Sequence, residues 1–173
     1  MSPCRLPDRI VVVDLCLQLA AEWRGCCGDK GSLSARTSGQ ARPLHQMTAH
    51  CIYLIASEAL RNAARHSGSP VLELTVEFSA EALEVTIRDF GRGMEGPAGP
   101  GLTGMRQRAL QLGALLQISS DPHSGTAVRV SVPAARAYAS EPSPTGGWQR
   151  WWKACARLLA RHRVHSRPVG QAM

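Results

Sequence analysis
Apolar residues recur along this chain at two spacings, and the switches between them divide it into elements. From 9 to 24 the positions Ile10, Val13, Leu17 and Ala20 or Ala21 form one stripe at helical spacing, and Gly25 supplies a stop. A second stripe, Ile52, Ile55, Ala59 and Ala63, runs through a longer segment from about Gln46 to His66, which Ser67-Gly68 ends and Pro70 keeps from resuming. The period then drops to two. Leu72, Leu74, Val76 and Phe78 alternate with polar residues, and Leu83, Val85 and Ile87 repeat the alternation after a turn at Ser79 to Ala82, which predicts an antiparallel hairpin with one buried face. Helical spacing returns at Leu102, Met105, Ala109 and Leu112, closed by Gly113, and two more strands are expected at Leu115 to Ser119 and Thr126 to Val132. Between the first two helices, Gly28 to Pro43 is polar and rich in Gly and Ser, with one short strand expected near Leu33 to Thr37.

The order helix, helix, hairpin, helix, hairpin predicts an α+β fold, a two-layer sandwich whose antiparallel or mixed sheet is covered on one face by helices. A chain of 173 residues holds one such domain plus an appendage. We expect the domain over 10–133, after a short lead of 1–9, with Pro133 at its end. A hydrophobic content of 44% against 19% charged residues excludes disorder throughout, and with aromatics at 5% the core falls to Leu, Val, Ile and Ala.

Charge first suggests nucleic acid, because the net value is +7. Its distribution argues otherwise: residues 1–133 hold 13 Lys/Arg against 12 Asp/Glu, whereas 134–173 hold 7 against 1. The stretch 134–147, rich in Pro, Ser, Gly and Ala, reads as a linker. Beyond it, Trp148, Trp151, Trp152, Cys155, Leu158 and Leu159 line one helical face while Arg150, Lys153, Arg157 and Arg161 occupy others. Such a basic amphipathic helix can lie on an anionic membrane surface, enter a partner's groove or fold back on its own domain, and the first two are slightly favoured. No nucleic-acid reading motif accompanies it. The six cysteines show neither zinc-ligand pairs nor a Cys-x-x-Cys, which fits reduced cytosolic thiols. Ile10 to Ala21, with Arg5 and Arg9 ahead of it, has the outline of a secretory signal, but Asp14 interrupts it and no small-residue cleavage site follows. No apolar run approaches the ~20 residues that span a bilayer. A cytoplasmic protein is expected, with its tail offering a membrane contact.

Four short pieces carry candidate chemistry. On the long helix, Glu58, Asn62 and Arg65 share a face displaced from the apolar stripe, so they can point into a cleft. Asn62 offers a neutral amide oxygen of the kind that suits Mg²⁺ held mainly by triphosphate oxygens and water. Glu58 can orient or deprotonate an attacking hydroxyl, imidazole or water. Asp89, at the end of a strand, can accept from an exocyclic amine such as adenine's, and Gly91 and Gly93 let the backbone turn tightly beside a flat ligand. Gly99, Gly101 and Gly104 bracket the helix starting at Leu102, where free N–H groups and the helix dipole favour phosphate. Gly125-Thr126 places a small residue and a hydroxyl beside the same ligand. Each piece alone reads equally well as a solvated helix face or a turn, and their order makes the case for an ATP site.

With those residues in view, 10–133 resembles the catalytic ATP-binding domain of sensor histidine kinases, within the superfamily of gyrase-type, chaperone and mismatch-repair ATPases. Glu58-Ala-Leu-Arg-Asn62-Ala-Ala-Arg-His66-Ser67 and Gly101-Leu-Thr-Gly104-Met-Arg-Gln-Arg108 are similar to the nitrate-sensor-like subfamily. The resemblance implies the Bergerat-type sandwich and ATP with Mg²⁺ as ligands. It makes Glu58 the general base, Asn62 the metal ligand, Asp89 the adenine contact, Gly91 and Gly93 the adenine-side glycines, and Gly99 and Gly101 the phosphate-side ones. Arg65 and His66 fall at the family's basic and His positions, where a phosphate contact is expected, with Leu102, Gly104 and Thr126 completing the cofactor-binding set.

Four departures stand out. Phe90 replaces the usual small polar residue after the aspartate, and Ala114 stands where a second glycine often follows Gly113. The span from Gly93 to Gly99 is short, which implies a small lid and slow turnover. Kinases of this group also carry their phosphoacceptor histidine beside an acidic residue on a preceding dimerisation helix. None of His45, His50, His66, His123, His162 or His165 is followed by Asp or Glu. A phosphoacceptor protein or a kinase dimerisation domain acting in trans is therefore expected. An anti-sigma-type serine kinase, or a nucleotide-sensing adaptor with little catalysis, shares these motifs. The Asp89-Phe90-Gly91 triplet also suits eukaryotic-type kinases, but their catalytic-loop His-Arg-Asp and strand lysine are missing.

Overall fold
The alternation in the central strands sets the layers of the fold. In the computed structural model, which describes residues 12–94 and 99–139, β1 (Ser32–Ser38), β2 (Val71–Phe78), β3 (Ala82–Asp89), β4 (Leu115–Asp121) and β5 (Gly125–Pro133) form one sheet in the order β1-β2-β3-β5-β4. β1 runs parallel to β2 and every other pair is antiparallel, so the sheet is mixed and mostly antiparallel. Leu72, Leu74, Val76 and Phe78 pair across to Asp89, Ile87, Val85 and Leu83, and all of them are buried. Their neighbours on the other face include the ion pairs Arg36–Glu73, at 3.1 Å, and Arg129–Glu84, which leave that side solvated.

Helices α1 (Val12–Cys27), α2 (Gln46–His66) and α3 (Pro100–Gln111) pack on the apolar face. The middle one carries the core, burying Ile52, Ile55, Ala59 and Ala63 as their spacing implies, together with Ala49, Cys51, Ala56 and Leu60. Ser67 caps it with a bond to the Ala63 carbonyl, and Gly68 (φ 73°) turns the chain toward β2. The result is a two-layer α/β sandwich with the element order anticipated above.

Two expectations need correcting. The first helix faces the core with Leu15, Cys16, Leu19 and Trp23, while Leu17 is 37% exposed and Ala21 lies at the surface. The helix carries two neighbouring apolar stripes, so spacing alone left its rotation open; burying Trp23, whose indole N–H donates to the Pro70 carbonyl at 3.2 Å, decides it. The helix also passes Gly25 and stops where Gly28 takes a positive φ of 61°. The second correction concerns residues 134–139, read as the start of a linker. A short helix α4 (Ala134–Ala137) leads to Tyr138, which is buried, bridges to Leu44, and donates its hydroxyl to the Ala82 carbonyl at 2.9 Å. Pro133 ends the strand without preventing the next residues from packing on the domain. The Trp-bearing segment 148–173 lies outside the described residues.

Among the described residues, Cys16, Cys26, Cys27 and Cys51 are free thiols. Burial pushes Cys16 up to about 12, so it is an inert core residue. Among the described residues, no helix is long and apolar enough to cross a membrane.

Candidate functional site
Where the last turns of α2 and the first turn of α3 meet the ends of β3 and β5, the two layers leave a cavity of about 540 Å³. That size is within the range of small-molecule sites. It is lined by Glu58, Asn62, Arg65 and His66 from α2, Asp89 and Gly93 from the loop after β3, Gly99, Gly101 and Leu102 from α3, and Thr126 from β5. Segments up to 68 residues apart in sequence thus converge on one cavity. Gly91 and Gly104 do not line it.

Asp89 is the buried anchor, at 6% exposure. Its Oδ1 accepts the backbone N–H of Gly91 at 3.0 Å and of Thr126 at 3.2 Å, tying the loop after β3 to the start of β5. No donor among the described residues reaches Oδ2, which leaves it as an acceptor toward the cavity. The surrounding glycines are required by close packing. A methyl on Gly125, already at φ 83°, would overlap the Asp89 carbonyl, and one on Gly91 would overlap Ser67. Gly91 therefore shapes the site from behind, by letting the loop lie against the end of α2. Gly93, at φ 71°, sits so near the Asp121 carbonyl that a Cβ would come within 2.6 Å.

At the α3 end, Gly99 is the N-cap and has no side chain to satisfy the first turn, while Pro100 has no N–H to offer. Within this first turn the Leu102 N–H donates to the Gly99 carbonyl at 3.1 Å, and among the described residues no side chain caps the Gly101 N–H. Gly101 packs directly on the Glu58 carboxylate, which a methyl there would overlap. Gly104 serves a different purpose: a Cβ would approach Nη1 of Arg108 at 2.9 Å, so this glycine makes room for an arginine on the same helix.

Several participants escaped the sequence reading. The Arg92 side chain donates to the His66 carbonyl at 2.7 Å, and its backbone N–H donates to the Ser67 carbonyl at 3.0 Å, closing the end of α2. The Ser120 hydroxyl accepts from the Met94 N–H at 2.6 Å and lies 3.1 Å from the Thr126 hydroxyl, so Thr126 holds the rim as well as facing the cavity. Arg61 is the largest omission. It pairs with Glu58 at 2.9 Å and with Glu22 of α1 at 3.0 Å. These acceptors, Glu58 first, push its guanidinium above its ordinary value. Partly exposed pairs of this kind contribute only ~0–1 kcal/mol to stability, so the interest lies in their geometry. An arginine amid apolar and alanine-rich sequence gave no signal of its own.

Among the described residues no group of three His, Cys, Asp or Glu side chains could hold an ion by itself. One amide, Asn62, beside an open helix N-terminus fits Mg²⁺ carried in mainly by phosphate oxygens.

A family model described as "Histidine kinase-, DNA gyrase B-, and HSP90-like ATPase" matches residues 48–136. The chain is similar to the sensor protein VraS of Staphylococcus haemolyticus, at 34% identity over 89 residues, which is 49% of this chain and 26% of that protein. VraS of Staphylococcus epidermidis matches at 34% over 86 residues, covering 47% and 25%. The chain thus spans about a quarter of the length of these relatives. Among solved structures, the histidine kinase domain of the Erythrobacter litoralis EL346 blue-light activated kinase shares the fold with a TM-score of 0.63 at 23% identity, over 79% of this chain and 67% of that one. The ATP binding domain of PrrB from Mycobacterium tuberculosis does so at 0.57 and 20%, over 72% and 94%.

Proposed function
Because the chain belongs to the histidine kinase-, DNA gyrase B- and HSP90-like ATPase family, we propose that its cavity binds ATP with Mg²⁺ and supplies the donor half of phosphoryl transfer to a protein histidine. One observation carries this reading. A single cavity is lined at one side by the buried carboxylate of Asp89, whose Oδ2 takes no bond from a described residue, and at the other by the first turn of α3 at Gly99 to Leu102, which no side chain caps. The first suits the exocyclic amine of adenine and the second suits phosphate, in the polarity a nucleoside triphosphate requires. Asn62, Arg65 and His66 line the wall between them. Asn62 would hold the metal through its amide oxygen, and the basic pair would meet phosphate charge. Mg²⁺, when bound, neutralises charge on the phosphate oxygens during transfer.

Glu58 is the group placed to take a proton. Its carboxylate lies at Gly101, beside the phosphate-binding turn, and lines the same cavity. In this reading it accepts the proton of the attacking nitrogen. No histidine of this sequence is followed by an acidic residue, and we assign the acceptor histidine to a position outside these 173 residues. Equilibrium binding of a fluorescent ATP analogue to the folded chain tests the reading. Saturable, Mg²⁺-dependent binding that Asp89→Asn weakens is expected, and absence of binding in a folded sample overturns it.

A further inference from the structure
The Glu58 carboxylate is not free to choose its direction. Oε2 is taken by Nη2 of Arg61 at 2.9 Å, one turn along the same helix. Arg61 is held in turn, because its Nη1 donates to Oε1 of Glu22 on α1 at 3.0 Å. Glu22 is braced by the hydroxyl of Ser57, a residue at 1% exposure, which donates to Oε2 at 2.7 Å. A chain of fixed groups therefore runs from α1 through Arg61 to Glu58. With Oε2 occupied, Oε1 of Glu58 is the oxygen that packs against Gly101 at the mouth of α3.

From this arrangement we propose that Arg61 is a positioning residue for proton transfer: it fixes the Glu58 carboxylate so that Oε1, and not Oε2, faces the reacting group. Arg61 itself does not line the cavity, so it acts through Glu58 and makes no contact with the nucleotide. A guanidinium suits the task because its planar fork reaches two carboxylates at once, which the point charge of lysine cannot do in the same geometry. The inference rests on the reading of Glu58 as the general base.

The test uses the full chain with Mg²⁺ and ATP, in which water takes the place of the acceptor nitrogen and gives its proton to the same Glu58 carboxylate, and measures phosphate release as kcat and KM for Arg61→Met, Arg61→Lys, Glu22→Gln and Glu58→Gln. Arg61→Met is expected to lower kcat at least tenfold with KM within twofold of the parent. Arg61→Lys should restore part of kcat, and Glu22→Gln should reduce it only a few-fold because the Arg61–Glu58 contact survives. A second readout needs no turnover: a crystal structure of unliganded Arg61→Met should show the same fold with the Glu58 carboxylate moved away from Gly101. Parental kcat in Arg61→Met, alongside an inactive Glu58→Gln, overturns the role of Arg61 alone. Parental kcat in Glu58→Gln overturns the general-base reading and the Arg61 role with it. If the methionine variant does not fold, the lysine variant decides, and a parental kcat there, with Glu58 displaced in its crystal structure, is equally fatal.

Discussion

The two ends of the sandwich are made from the same strands and the same long helix, yet one is sealed and the other open. At the sealed end, where α2 begins, Phe78 and Tyr138 stack with centroids 6.3 Å apart, Arg42 lies over the Tyr138 ring at 4.0 Å, and the Thr48 hydroxyl donates to the Arg136 carbonyl at 2.7 Å. Side chains fill the space between layers and little polar surface is left inside. At the open end, where α2 finishes, glycines replace side chains and the layers part around Asp89 and Asn62. Stability and ligand recognition have thereby been separated along the strand direction, so substitutions at the two ends should affect different measurements.

The largest effects come from crossing these assignments. Tyr138→Ala removes a buried ring, its hydrogen bond to Ala82 and its stack on Phe78. We expect a stability loss of ~3–4 kcal/mol in denaturant unfolding, with ATP affinity of the remaining folded protein within twofold. Asp89→Ala should do the reverse in emphasis. Affinity should fall by about a hundredfold, since charge-assisted hydrogen bonds of this kind are worth ~1.5–3 kcal/mol and both the ligand and the loop depend on this carboxylate. Calorimetric titration beside a melting curve separates the two. A Tyr138→Ala protein that folds but has lost its nucleotide would break the division of labour.

A glycine placed alike at each end gives a finer test. Gly39, at φ 77°, lies against the Phe78 carbonyl, and Gly125, at φ 83°, lies against that of Asp89. An added methyl costs ~1–2 kcal/mol for the left-handed conformation alone, before the backbone overlap is relieved. Both Gly39→Ala and Gly125→Ala should therefore lower the melting temperature comparably. Only Gly125→Ala should also weaken nucleotide binding, by about tenfold, because the backbone that must shift is the one holding Asp89. Equal affinities for the two variants would mean that the strands transmit strain from end to end.

How legible the molecule was follows the same division. The strands and the long helix were readable because their apolar residues face one partner layer, which forces a strict period; Leu72 to Phe78 and Ile52 to Ala63 leave no other rotation. Helix α1 was readable as a helix but not in its orientation, because Leu15, Cys16 and Leu19 form a second apolar stripe beside Val13 and Leu17, and the deciding contact, Trp23 to Pro70, spans 47 residues. The packing of Tyr138 was hidden for a similar reason, its partners Phe78 and Leu44 being far away in sequence. Of the residues lining the cavity, Glu58, Asn62, Asp89, Gly93, Gly99 and Gly101 were legible as candidates because spacing and residue type suggest a chemistry, whereas Gly91 and Gly104, singled out on the same grounds, do not line it. Arg61, Arg92 and Ser120 act through backbone carbonyls, amides and other side chains, and such relations exist only once the chain has folded.

The smallest expected effect lies at the rim of the open end. Asp121 closes the turn between β4 and β5. Its Oδ1 accepts from the His123 N–H at 2.9 Å and from the Ser124 N–H and hydroxyl, each at 3.1 Å. These donors, His123 first, hold its carboxyl below the ordinary value of 3.8. Linkage gives the direction: a depressed carboxylate lends stability that is fully present above its unfolded value and is lost as pH falls through the lower, folded one. The turn should therefore stay closed through the pH at which a free aspartate titrates and loosen only below it. Amide resonances of His123 and Ser124 report this directly during an acid titration, and Met94 should follow them because its N–H is bound to the neighbouring Ser120. At the sealed end the Tyr138 amide, which donates to the Ala134 carbonyl, should not move in this range. Asp121→Asn keeps an acceptor and removes the charge, so it should abolish the acid-dependent step while preserving the turn. If His123 and Ser124 instead shift at the ordinary carboxylate value, their hydrogen bonds to Asp121 do not persist in solution, and the rim is looser than the geometry of Gly93 against Asp121 implies.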